Sequence, residues 1–364
     1  MIAKARSQTL QWTTLAPALA FVLLAATWGR SLPTALVVLV ALFLAAAVLA
    51  AVHHAEVIAH RVGEPFGSLV LAVAVTIIEV ALIVTLMADG SEKNATLARD
   101  TVFAAVMITC NGIVGLCILV GALRHRVAVF NAEGTGAAFS AIATLATLSM
   151  VLPTFTTSKP GPQFSTTQLV FAATASLIVY GLFVGTLTVR HRDYFLPLTS
   201  DGKVLDEHAH PPTARAAWFS LALLGVALVA VVGLAKGVSP TIERVVADAG
   251  LPASVVGVVI AMLVLLPETI AAVRSAARDR MQTSLNLAHG SALASIGLTI
   301  PAVAVASAWL SGPLVLGLDA THMILLALTI AVGTLTVMPG RATPLQGGVH
   351  LAIMAAFLVL AISP

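Results

Sequence analysis

The sequence predicts an all-α polytopic membrane protein of about eleven transmembrane helices, one N-terminal helix followed by two inverted five-helix repeats. Three observations carry that expectation. Of the 364 residues, 59% are hydrophobic and only 10% charged, and the mean hydropathy is +1.01. A soluble domain of this length needs far more charge to cover its surface. Eleven segments come near the roughly 20 apolar residues that a helix needs to cross a bilayer. Two of those segments each hold a single acid deep in apolar sequence, Glu79 and Glu268.

The first segment, about 14–29, follows Lys4 and Arg6 and has the outline of a signal peptide. Apolar sequence resumes directly after the short break GRSLP, so residues 1–32 are read as a first transmembrane helix. Segments at about 33–53, 66–88, 101–122, 137–154 and 167–189 make a first set of five, over 33–189. The longest internal loop, RHRDYFLPLTSDGKVLDEHAHPPTAR at 190–215, is read as a cytoplasmic linker. A second set follows over 216–364, at about 216–235, 253–273, 285–309, 321–338 and 345–362. Five is odd, so the second set enters the membrane inverted relative to the first, an arrangement common among secondary transporters.

Alternating sides from a cytoplasmic N-terminus puts 13 Lys and Arg inside and six outside. That excess follows the positive-inside rule and places the C-terminus outside, in a bacterial-type inner membrane. The net charge of +3 is scattered in short clusters between apolar segments rather than along one stripe, which excludes a nucleic-acid binder. Arg274, Arg278 and Arg280 most simply fix topology and are compatible with anionic lipid. Cys110 and Cys117 lie seven residues apart on one helix, a rise of about 10.5 Å. A disulfide needs Cα atoms within about 7 Å, so these two do not pair.

The chemistry rests on the two acids. In AVTIIEVALI, residues 74–83, Glu79 is the only charge, and Glu268 stands at the matching position of the second set in LVLLPETIAAV, residues 263–273. An ionised carboxylate at the bilayer centre costs about 2.5–3.5 kcal/mol on insertion scales, so something must offset it. Two carboxylates facing each other in a low-dielectric cavity cannot both stay charged and empty; each is protonated or shares a cation. That competition is the chemistry of proton-coupled cation exchange, and two carboxylates with amide, hydroxyl and carbonyl oxygens suit Ca²⁺. Nearby oxygen donors are Thr76, Asn111 beside Thr109, and Asn286, Ser291 and Ser295 on the segment after Glu268, where His289 is a candidate proton relay. Pro267 lacks an N–H, which frees the Leu263 carbonyl to face a cation.

Each of these residues also has a plain structural role open to it. Asn111 and the serines can bridge packed helices, Thr76 can bond back to its own helix, and His289 can be a satisfied buried side chain. His53, Glu56 and His60 share a helical face at the cytoplasmic end of the second segment, either an access funnel for cations or protons or an interfacial polar face. Glu64 stands at the same boundary, as ligand or anchor. Asp206, Glu207, His208 and His210 in the linker, with Asp201, form a candidate metal or pH sensor or simply a solvated loop. A passive cation channel and a membrane-embedded hydrolase remain the alternatives, although no convincing metal or nucleophile motif supports the latter.

AHRVGEPFGSLVLAVAVTIIEVALI and LVLLPETIAAVRSAARDRMQTSLNLAHGSALASIGLTIPAVAV resemble the two α-repeats of ChaA-type calcium (sodium, potassium)/proton antiporters of the cation/Ca²⁺ exchanger superfamily, and VRHRDYFLP fits the same pattern. The resemblance implies an eleven-helix antiporter, not an enzyme, with Glu79 and Glu268 as the central cation and proton acids and no resident cofactor. The superfamily usually places a Gly-Asn-Ala type turn before each acid; here VTIIE and LLPE stand there, and Ala294 stands where a Gln is expected. Fewer oxygen ligands around the cation imply that Na⁺ or K⁺ is carried as well as Ca²⁺.

Overall fold

The structure is a computed structural model that describes residues 11–30, 33–63, 66–88, 95–196, 212–252, 254–309 and 312–364. Among them, nine helices are long and apolar enough to cross a membrane, and two apolar helices are shorter. In chain order they are α1 (Trp12–Thr27), α2 (Thr34–Val62), α3 (Phe66–Met87), α4 (Leu97–His125), α5 (Ala132–Phe155), α6 (Thr166–Arg190), α7 (Ala214–Asp248), α8 (Ser254–Ala276), α9 (Met281–Ala306), α10 (Ala320–Val337) and α11 (Pro344–Ile362). Exposed large apolar residues such as Val22, Leu42, Phe171, Leu182, Trp218 and Leu335 give the bundle the lipid-facing coat that its composition demands.

Helices α2 and α7 run well past the apolar stretches that predict them, to Val62 and Asp248. The apolar window marks where lipid ends, whereas the helix ends where the backbone is stopped. Gly63 (φ +79°) and Gly250 (φ +67°) supply those stops, in a region that residues with a Cβ seldom adopt. Three turns depart from α-geometry in ways no sequence periodicity announces. Wide π-turns occupy Ile108–Ile113 inside α4, Thr147–Val151 inside α5 and Thr186–Arg190 at the end of α6.

Connections sort onto two faces. On one, Ala128–Val129 after α4 pairs antiparallel with Arg341–Ala342 after α10. His125 also reaches the Ala277 carbonyl after α8 (3.4 Å), Asn286 donates to the Phe195 carbonyl after α6 (2.6 Å), and Arg61 at the end of α2 donates to Pro212 (3.3 Å). On the other face, Val315 after α9 donates to the Ala95 carbonyl after α3, and Gly317 donates to Pro162 after α5. Alternation of this kind is what successive crossings of one slab produce.

Two apolar bodies form the interior. One joins α1, α2 and α7 through Ala20, Val40, Ala47, Val48, Ala227 and Val231. The other joins α4, α5, α6, α9, α10 and α11. Helices α3 and α8 belong to both: Val75, Ile78 and Leu82 of α3 and Val264 of α8 pack into the first, while Ile83 and Met87 of α3 and Leu265 and Ala272 of α8 pack into the second. The seam between the bodies therefore runs along the two helices that carry the acids. Corresponding helices of the two halves exchange partners across it, α3 packing on α9 and α8 on α4, with α6 on α9 answered by α11 on α4.

Small residues set the closest approach. A Cβ on Gly347 of α11 would lie 2.7 Å from the Leu119 nitrogen and 2.9 Å from the Gly115 carbonyl of α4, so these backbones touch. Its neighbour Gly348 has no such contact. Gly347→Ala is therefore expected to destabilise the protein by about 1–3 kcal/mol, seen as a lower melting temperature in detergent, while Gly348→Ala leaves it nearly unchanged.

Candidate functional site

Both acids lie at the seam and are sealed from the surface, Glu79 at 2% and Glu268 at 4% exposure. Ser295, on the α9 face that meets α3, donates from Oγ to Glu79 Oε2 at 2.8 Å. Among the described residues, Glu79 Oε1 and Glu268 Oε2 are buried with no hydrogen-bond partner. The helices that carry the two acids, α3 and α8, pack on each other, and α2, which carries Glu56, also packs on α8. Buried polar groups are normally paired, and an ionised carboxylate left with an orphan oxygen in a low dielectric is costly. The arrangement is therefore suited to take up a proton or a cation.

The other residues singled out by the sequence distribute around this pair. Thr76 is buried one turn before Glu79, and Ser291 is half-buried one turn before Ser295. Pro267 sits within the continuous helix α8, one residue before Glu268. Asn111 lies within the π-turn of α4, fully buried, but the structure does not turn it to the acids. Its amide nitrogen donates to Thr329 Oγ1 of α10 (2.9 Å) and its oxygen meets His350 Nδ1 of α11 (3.1 Å). Thr109 bonds back to the Ala105 carbonyl (2.7 Å).

Asn286 is likewise not brought to the carboxylates. It sits near the start of α9, between Gln282 (2.8 Å) and the Phe195 carbonyl (2.6 Å), where it ties α9 to the segment after α6. His289 is buried against the Phe139 ring, 5.8 Å between centroids. His53 and Glu56 are half-buried and His60 is exposed, so polarity rises along one face of α2 from the seam to the surface. Glu64, Asp201, Asp206, Glu207, His208 and His210 lie outside the described residues.

Some polar residues escaped the sequence reading. His54 is buried and meets Ser220 of α7 (3.2 Å) and the Thr13 carbonyl of α1 (2.9 Å), clasping three helices. Arg99 grips Asp100 (2.7 Å) and donates to the Gly317 carbonyl (3.1 Å) at the opposite end of the bundle. His350, Thr329 and Thr336 are buried in α10 and α11. A histidine six residues into an apolar segment is the signal that was available for His350. Among the described residues no cluster of three or more His, Cys, Asp and Glu is arranged to hold a metal ion.

An all-helical membrane bundle with two buried acids on the seam between its two apolar bodies fits the class of secondary transporters. The profile of the sodium/calcium exchanger protein family matches residues 32–189 and 219–363, and the chain belongs to that family. It is similar to y4hA of Sinorhizobium fredii, provisionally named an ionic transporter, at 48% identity over 97% of this chain and 96% of the relative. It is also similar to the sodium-potassium/proton antiporter ChaA of Escherichia coli, at 32% identity over 94% of each chain. Among solved structures, native YfkE superposes with a TM-score of 0.70 at 17% identity, over 96% of this chain and 99% of that one. The protein is a multi-pass membrane cation exchanger of the cation/Ca²⁺ exchanger superfamily, a transporter rather than an enzyme.

Ser295→Ala removes the hydrogen bond that α9 gives Glu79. Bonds to charged groups contribute about 1.5–3 kcal/mol to stability, so the variant is expected to melt at a lower temperature than the wild type in detergent.

Proposed function

We propose that this protein exchanges Ca²⁺, and also Na⁺ or K⁺, for protons by alternating access to a site built on Glu79 and Glu268. The observation that supports the reading best is the pair itself: two sealed carboxylates on the seam, each with an oxygen lacking a protein partner. A proton and a cation are alternative ways to satisfy the same oxygens. Binding of one expels the other, and the loaded forms cross while the empty charged form is held back by its desolvation cost.

Ser295 supplies a neutral oxygen beside Glu79, and Thr76 and Ser291 extend the set of hydroxyls along the same helices. The Leu263 carbonyl, without its usual donor at Pro267, is a further candidate oxygen. His53, Glu56 and His60 form a graded polar face leading toward Glu268, which suits an access route from the cytoplasmic side. The distribution of Lys and Arg supports a cytoplasmic N-terminus, an external C-terminus and residence in a bacterial inner membrane. The division into one helix, two five-helix repeats and the 190–215 linker is part of the same reading. The relative ChaA is a sodium-potassium/proton antiporter, and the sparse oxygen donors around the acids favour similar breadth here. Two protons for one Ca²⁺ make the cycle electroneutral; exchange of two protons for one Na⁺ moves net charge.

In proteoliposomes containing a pH dye, adding Ca²⁺, Na⁺ or K⁺ in turn is expected to drive proton flux. Glu79→Gln and Glu268→Gln should each abolish that flux while the protein remains folded, because an amide keeps the shape but cannot cycle a proton. Normal flux in either variant would remove that acid from the coupling site. The half-saturating cation concentration should also fall as pH rises, since fewer protons then compete for the carboxylates.

A further inference from the structure

Among the described residues, a buried polar assembly away from the carboxylates lies between α4, α10 and α11. Asn111, Thr329, Thr336 and His350 are each at most 3% exposed. Thr336 Oγ1 meets His350 Nε2 at 3.1 Å, His350 Nδ1 meets Asn111 Oδ1 at 3.1 Å, and Asn111 Nδ2 donates to Thr329 Oγ1 at 2.9 Å. Thr329 then donates to the Leu325 carbonyl at 2.8 Å. A single assignment of protons satisfies the whole chain. Asn111 Nδ2 donates to Thr329 while its oxygen can only accept, so His350 Nδ1 carries the hydrogen, and Nε2 of the neutral ring accepts from the Thr336 hydroxyl.

The backbone is shaped to deliver this contact. Gly115 and Gly347 let α4 and α11 touch, and a Cβ on Gly115 would lie 2.9 Å from His350 Cβ. Asn111 is inside the π-turn Ile108–Ile113, a local widening of the helix that needs outside support because it departs from the regular hydrogen-bond ladder. That turn packs on α8 and α9 as well as on α10 and α11. It thus joins the Asn111 anchor to the helices that bear Glu268 and Ser295.

We propose that His350 is a positioning residue for cation exchange: by donating to Asn111 it holds the α4 π-turn in place, and through it the seating of α8 and α9 at the carboxylate pair. Asn111 acts in this scheme as the receiver of that anchor rather than as a cation ligand. The inference rests on the exchange reading for its consequence, but the His350–Asn111 coupling is testable without transport.

The test uses the full-length protein and the variants His350→Leu, His350→Asn, Asn111→Ala and the double variant His350→Leu/Asn111→Ala. Asn at 350 places an amide N–H near the site of Nδ1 and keeps the donation to Asn111, whereas Leu keeps bulk alone. Cation titration of proton flux should show His350→Leu raising the half-saturating concentration by about threefold or more with a smaller change in maximal rate. His350→Asn should recover most of the wild-type value, and the double variant should be no worse than the poorer single one. Unchanged affinity in His350→Leu, no recovery in His350→Asn, or multiplying effects in the double variant would overturn the proposal. Melting temperatures of the same set, with and without Ca²⁺, separate the two readings. Additive losses of stability would refute the His350–Asn111 coupling, while non-additive losses in a protein that shows no flux with any cation would uphold the anchor and reject the exchange reading.

Discussion

A carboxylate in a low-dielectric interior cannot remain both ionised and unpartnered, and much of this structure is arranged around two of them. Glu79 and Glu268 occupy the helices that face both apolar bodies, so neither acid is exposed to lipid and each has one oxygen without a protein partner. Full pairing by arginine or by several N–H groups would have settled their charge permanently. One serine hydroxyl beside Glu79 leaves the choice between proton and cation open. On the proposed reading, that incomplete satisfaction is what makes exchange possible.

The surrounding fold keeps the seam closed to lipid and still able to divide. The body formed by α1, α2 and α7 is filled largely by Ala, Val and Leu, with His54 clasping its three helices. The other body is cross-linked by the Asn111, His350 and Thr336 chain, by Gln282 and Asn286 at one end, and by Arg99 and Asp100 at the other. The contrast suits a smooth apolar unit moving against a more rigid polar-braced one, with the acids between them.

Much of this was legible in the chain. Spans, alternation and the two acids follow from apolar run length and from the cost of charge in a membrane, both local properties of sequence. What was not legible depends on backbone geometry and long-range register. Asn111 looked like a ligand because it stands at mid-depth in an apolar helix, yet the π-turn rotates its surroundings and His350, 239 residues away, claims its oxygen. Asn286 and Ser295 lie on one helix with similar chemistry; only the packing of α9 on α3 decides that Ser295 meets Glu79 while Asn286 braces a loop. The ends of α2 and α7 are not marked by hydropathy, which reports the slab, whereas Gly63 and Gly250 end the helices.

The central claim is that protons and the cation compete for the same two carboxylates, and it is tested most directly by counting protons released when Ca²⁺ binds to purified protein in weakly buffered detergent solution. The account predicts release of about two protons per Ca²⁺ bound at a pH where both acids start protonated, with the release lost when both acids are changed to Gln. Saturable Ca²⁺ binding that releases no protons, across the pH range in which the protein stays folded, would contradict it.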